Sequence, residues 1–196
     1  DWTQLTDWIY LSHSGQMKGQ FGYGITLFAE DEFYKNILFE DNYGLEISFE
    51  KSFSKNISFN IKPKFGVEII RADAPYQARN TGIALGIELK PSDEFKLNFR
   101  MDQSKSIRFE NDEVVYSDMI ARARFEYQAT TFLNFRLIAQ YHRYYDTFDI
   151  QPLISYQPGP FSIFYFGTSR SYDTSFPGWE ESYGQIYLKV QKLFSF

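Results

Sequence analysis

The chain has 196 residues, of which 43% are hydrophobic, 20% aromatic and 23% charged, and it contains no cysteine. Its 25 acidic and 20 basic residues are spread along the sequence and leave a net charge of -5, which excludes the basic footprint of a nucleic-acid binder. The lack of cysteine excludes disulfides, thiolate metal sites and a cysteine nucleophile.

No run approaches the roughly 20 consecutive apolar residues that a membrane helix needs, a criterion blind to strands that are apolar on one face only. The sequence opens on Asp1 with no charged segment and apolar stretch behind it, so a processed chain is expected. The 21 Phe and 15 Tyr are unusual for a soluble domain. Aromatics are strong strand formers, and they collect at both water interfaces of membrane barrels.

Helical spacing is nearly absent, whereas period-two alternation recurs in segments of roughly ten residues. Leu5 to Ser12 fits neither template, so residues 1–16 stand as either a first strand or a segment outside the sheet. His13, in Ser12-His13-Ser14-Gly15, reads as a loop residue. Phe21 to Ala29 alternates; Ala29 to Asn36, with Glu30-Asp31-Glu32, reads as a solvated acidic loop that lacks the ligand spacing and turn glycine of a calcium site. Gly22 and Gly24 are followed by no helix and so match no phosphate-binding fingerprint.

Tyr43 to Phe53 alternates again. From Ile57 to Ile69, Phe59, Ile61, Phe65 and Val67 oppose Ser58, Asn60, Lys62, Lys64 and Glu68. Thr81 to Leu89, Phe95 to Arg108, Val114 to Tyr127, Phe132 to Tyr144 and Phe148 to Tyr156 follow the same rule. The clearest is Leu133, Phe135, Leu137, Ala139 and Tyr141 against Asn134, Arg136, Ile138, Gln140 and His142. Phe161 to Tyr172 breaks it, because Phe164 and Phe166 share a face with Ser162 and Arg170.

Short turns are expected at Ser54-Lys55-Asn56, Pro91 to Glu94, Ala129-Thr130-Thr131 and Pro158-Gly159-Pro160. Longer connections are expected at Ala29 to Asn36, Arg71 to Gln77, Glu110 to Glu113, Tyr144 to Thr147 and Asp173 to Glu181. That alternation predicts an all-β, antiparallel up-and-down transmembrane β-barrel of about 10 to 12 strands, as one domain over residues 1–196. A soluble sandwich or lipocalin-like barrel would also alternate. Strands well over the usual five or six residues and apolar faces thick with Phe and Tyr weigh against it. Ten or eleven strands can be counted, and eleven conflicts with the even number that closes a single-chain barrel, so the chain is expected either to hold a non-membrane N-terminal segment or to be the C-terminal part of something longer.

The last strand, Gln185 to Phe196, sets Ile186, Leu188, Val190, Phe194 and Phe196 against Tyr187, Lys189, Gln191 and Ser195. Through Leu188, Val190, Phe194 and Phe196 it resembles the C-terminal assembly signal of bacterial outer-membrane β-barrel proteins, from which Lys192 departs. The resemblance implies a Gram-negative outer-membrane location, with outer-membrane lipid and the barrel-assembly machinery as partners. A narrower one covers Phe132 to Phe196: Phe135 to Tyr141, Pro152 to Pro160 and Phe164 to Gly167 are similar to the C-terminal barrel of outer-membrane proteins with a family-nine carbohydrate-binding-like region.

Turned inward, the polar face carries Glu46, Glu50, Lys62, Lys64, Glu68, Glu88, Lys96, Arg100, Asp102, Asp118, Arg122, Arg124, Glu126, Arg136, Asp149 and Lys189, with His142 near its rim. The mixed signs predict an internal ion-pair network filling a narrow lumen, not a single-sign ring that selects ions. The function expected is a non-enzymatic membrane anchor or subunit, with no catalytic residue, metal or cofactor, and with outer loops or a periplasmic side open to a protein partner or ligand. Two alternatives stand: a narrow porin-like channel for solute transport, and an outer-leaflet lipid hydrolase using His142 as general base, for which spacing selects no serine.

Overall fold

The computed structural model describes residues 6–175 and 177–192. It is all-β. Eleven strands, β1 (Thr6–Met17), β2 (Phe21–Tyr34), β3 (Ile37–Ser54), β4 (Ile57–Ile70), β5 (Tyr76–Leu89), β6 (Phe95–Arg108), β7 (Val114–Gln128), β8 (Leu133–His142), β9 (Thr147–Gly159), β10 (Ser162–Asp173) and β11 (Glu180–Lys192), lie in one sheet in chain order. The up-and-down antiparallel meander is therefore as expected.

Closure is not. The order runs from β1 to β11 and stops, with no pairing between those two strands among the described residues. In a meander of eleven, the first and last strands run in the same direction, so the antiparallel ladder that joins every other neighbour cannot continue between them.

The chain divides into two compact units. The first holds Asp1–Phe53, Phe59–Leu85 and Asp102–Asp118; the second holds Ser54–Ser58, Gly86–Met101 and Met119–Phe196.

In the first unit the acidic stretch expected as a loop is strand. β2 runs on through Glu30, Asp31 and Glu32 to Tyr34, and the turn is only Lys35-Asn36. Both turn residues have positive φ, 50° and 63°, the left-handed pair that matches the twist of a two-residue hairpin. Two of the three acidic side chains, Asp31 and Glu32, find partners, which helps the strand tolerate them. Asp31 Oδ1 accepts the Asp41 amide at 2.9 Å, at a bulge where Asp41 takes φ 59° and the β2–β3 register shifts between Glu30 and Glu32. Glu32 takes both its hydrogen bonds from Arg71 Nη2, at 2.8 Å each.

His13 likewise lies inside β1, opposite Ile25, with Nε2 3.1 Å from Tyr23 Oη. The β1–β2 turn falls three residues after Gly15, at Lys18-Gly19-Gln20, where Gly19 (φ 80°) and Gln20 (φ 59°) supply the left-handed conformations. Gly66 on β4 has a different reason to be glycine: a Cβ there would stand 2.4 Å from the Tyr43 carbonyl oxygen and 2.9 Å from Gly44 Cα.

Cross-strand register sorts the residues into two faces. In the first unit Leu11, Leu27 and Leu45 form one row across β1, β2 and β3, beside the rows Ile9-Ala29-Tyr43 and His13-Ile25-Ile47. The adjoining rows on the other face read Ser12-Thr26-Glu46 and Ser14-Gly24-Ser48. In the second unit Tyr127, Phe135, Ile154, Phe166 and Leu188 make one row across β7 to β11, and Leu133, Tyr156, Phe164 and Val190 lie in the next. Rings stack along these rows, Tyr127 on Phe135 and Tyr156 on Phe164. In β10, expected to break the alternation, the register to β9 shifts between Ser162 and Phe164, and Phe164, Phe166 and Arg170 share a face opposite Tyr156, Ile154 and Ile150.

Burial is inverted relative to a water-soluble sheet. Phe39, Val67, Ala78 and Ile138 are the buried apolar residues among those described, whereas Asn42, Asn80 and Ser106 are buried polar ones. Leu11, Leu27, Phe135, Phe166 and Leu188 are exposed, from 37% for Phe135 to 72% for Leu188. Apolar residues on this scale are normally the first to be hidden.

Candidate functional site

Each unit carries a pocket on its polar face. In the first, a pocket of about 190 Å³ is lined by Glu30, Glu32, Lys64, Glu68, Arg71, Asn42, Asn80 and the apolar Phe28, Val67 and Ile69. Two sets of side-chain hydrogen bonds run through its lining residues. Ser106 donates its hydroxyl to Glu68 Oε1, and Asn80 Nδ2 reaches Ser104 Oγ at 3.2 Å and Ser106 Oγ at 3.3 Å. Asn42 donates to the Phe39 carbonyl at 3.0 Å and accepts from Gln77 Nε2 at 3.0 Å. Every one of these polar groups is paired, so burying them carries little penalty.

Toward the strand ends of this unit, Arg71 bridges Glu32 and the Tyr34 ring, and Lys35 Nζ holds the Ala72 carbonyl at 3.1 Å. Arg79 pairs with Asp112 and lies over Phe109, and the Arg108 guanidinium stacks on Tyr76 with 4.2 Å to the ring centroid. These arginine-aromatic contacts brace the β2–β3, β4–β5 and β6–β7 turns.

In the second unit a larger pocket, about 440 Å³, is lined by Glu88 on β5, Lys96, Asn98 and Arg100 on β6, and Arg122, Arg124 and Glu126 on β7. Alternate positions of neighbouring strands meet here because a strand sends every second side chain to the same face. Glu88 lies 3.0 Å from both Lys90 Nζ and Lys96 Nζ; Arg124 Nη2 lies 2.5 Å from Glu126. Arg136 stands opposite Glu126 in register. The Nε atoms of Arg124 and Arg136 are buried and have no hydrogen-bond partner.

The expected lumen residues are thus distributed. Lys64 and Glu68 line the first pocket; Glu88, Arg100, Arg122, Arg124 and Glu126 line the second, with Arg136 beside it. Lys62 and Asp102 are exposed and line neither. Asp118 accepts from Tyr116 Oη at 3.4 Å. His142 ends β8 opposite Ile120 and Thr147, with the Tyr145 ring edge-on at 4.6 Å. Of the assembly signal, Leu188 and Val190 are exposed on β11 at 72% and 58%; Phe194 and Phe196 lie outside the described residues.

Asn42, Asn80 and Ser106 carry the buried network and were not singled out from sequence. For Ser104 and Ser106 a signal existed, since both continue the polar alternation of Lys96, Asn98, Arg100 and Asp102. No family model, curated protein or solved structure matches the chain.

Proposed function

We propose that the chain is an integral outer-membrane β-sheet protein of the barrel type, acting as a non-enzymatic membrane anchor or subunit. The observation that carries this is the inversion of burial: rows such as Leu11-Leu27-Leu45 and Tyr127-Phe135-Ile154-Phe166-Leu188 face outward, while Asn42, Asn80 and Ser106 are enclosed. In lipid the outward rows cost nothing to expose, and a sheet satisfies its backbone from strand to strand. Strand length supports the reading, since the shortest, β8, has 10 residues and a tilted membrane strand needs about 9–11. An open order of eleven strands fits a subunit: β1 and β11 are completed by pairing with further strands, which also removes their edges. Outer-membrane location and the assembly machinery as partner rest on the C-terminal resemblance.

Flotation tests it. The full chain refolded with phospholipid vesicles is expected to rise with them through a density gradient and to stay bound after a urea wash. Recovery as a monomer in detergent-free buffer, with no vesicle-bound fraction, would contradict the reading. A second reading, a narrow solute channel, is favoured by the 440 Å³ pocket, which the polar side chains of that unit leave unfilled. Planar-bilayer conductance separates it from a sealed anchor.

A further inference from the structure

We propose that the pocket between β5, β6 and β7 binds a small dissolved oxyanion carrying two negative charges, of the phosphate or phosphate-ester class, with Arg100 and Arg122 as its principal contacts. The pocket holds four cations, Lys96, Arg100, Arg122 and Arg124, against two carboxylates, Glu88 and Glu126. Both carboxylates are committed, Glu88 to Lys90 and Lys96, and Glu126 to Arg124. Arg100 and Arg122 have no carboxylate or hydrogen-bond partner among the described residues. The local surplus is therefore two positive charges in a space large enough for a small ligand.

The donor geometry agrees with the charge. A guanidinium offers a planar fork that fits two oxygens of a phosphoryl group at once, and it stays charged at every physiological pH. Beside the two unpaired forks, Arg124, which also lines the pocket, keeps a buried Nε–H with no acceptor. A buried unpaired donor is costly, and an anion in the pocket offers it an acceptor. The anion site does not depend on the apolar face touching lipid.

The test is titration of the full chain with inorganic phosphate, followed by calorimetry, in zwitterionic detergent or in plain buffer according to where the chain folds. Saturable binding is expected, displaced by sulfate. Replacing both Arg100→Gln and Arg122→Gln is expected to weaken it about tenfold or more, the usual consequence of losing charge-assisted hydrogen bonds. Arg170→Gln, whose guanidinium pairs with Glu181 at 3.1 Å outside the pocket, is expected to leave it unchanged.

Should the double variant fail to fold, phenylglyoxal modification of the wild-type chain gives the same answer: phosphate is expected to slow the reaction at Arg100 and Arg122, read by peptide mass. A pocket built for a lipid headgroup would bind phosphatidic acid vesicles without binding dissolved phosphate, which would overturn the dissolved source. No saturation, equal affinity in the double variant, or equal modification rates with and without phosphate would overturn the proposal.

Discussion

Ser106 has no exposed surface, and its hydroxyl is donated to the carboxylate of Glu68 while it receives Asn80 Nδ2 at 3.3 Å. A small polar residue is thus the largest fully enclosed side chain among the described residues, on the same structure in which Leu188 is 72% exposed. The linkage runs from β4 through β6 to β5, so one hydroxyl ties three strands of the first unit.

Ser106→Ala removes the donor to Glu68 and the acceptor for Asn80 together. A loss of about 1–3 kcal/mol in unfolding free energy is expected, the range for leaving buried polar groups unpaired. Urea unfolding in detergent micelles reads it directly, and Ser104→Ala, which loses only one contact with Asn80, is expected to lose less.

Lipid exposure predicts opposite outcomes for adjacent residues. Leu27 belongs to the outward row with Leu11 and Leu45, while Thr26 lies with Ser12 and Glu46. Leu27→Lys is expected to destabilise the vesicle-inserted protein by about 2–4 kcal/mol, the scale for a cation on the lipid face near the bilayer midplane. Thr26→Lys is expected to cost far less, because its neighbour Glu46 can pair with the new charge. Equal losses at both positions in a vesicle unfolding assay would show that neither face is distinguished by lipid.

How much of this was legible in the sequence varies by strand. β8 was plain, because Leu133 to His142 alternates with only Ile138 out of pattern. β2 was cut short, because three consecutive acidic residues resemble a loop until Arg71 and the Asp41 amide are seen to hold Glu32 and Asp31. Those partners lie 39 and 10 residues away, a separation that periodicity cannot register. The polar face was identified as a set, but which of its charges cancel depends on lateral strand order. Only the folded sheet brings Arg100 and Arg122 to one pocket whose carboxylates are already taken.

Glycines give a second contrast. Gly66→Ala would drive a methyl group into the Tyr43 carbonyl and Gly44 Cα and is expected to cost about 1–3 kcal/mol, as overpacking does. Gly159 has nothing within 4 Å of the position a Cβ would take, so Gly159→Ala is expected to be neutral. Thermal unfolding in micelles, followed by circular dichroism, distinguishes the two.

The claim that the apolar rows face lipid has a direct test in β8. Since the chain contains no cysteine, single substitutions from Asn134→Cys to Gln140→Cys each offer one site for a nitroxide spin label. After reconstitution into vesicles, accessibility to dissolved oxygen, which concentrates in lipid, and to a water-soluble nickel chelate is measured at every position. The account predicts oxygen maxima at 135, 137 and 139 and nickel maxima at 134, 136 and 140. Equal nickel access along the whole strand, or the reverse alternation, would contradict it.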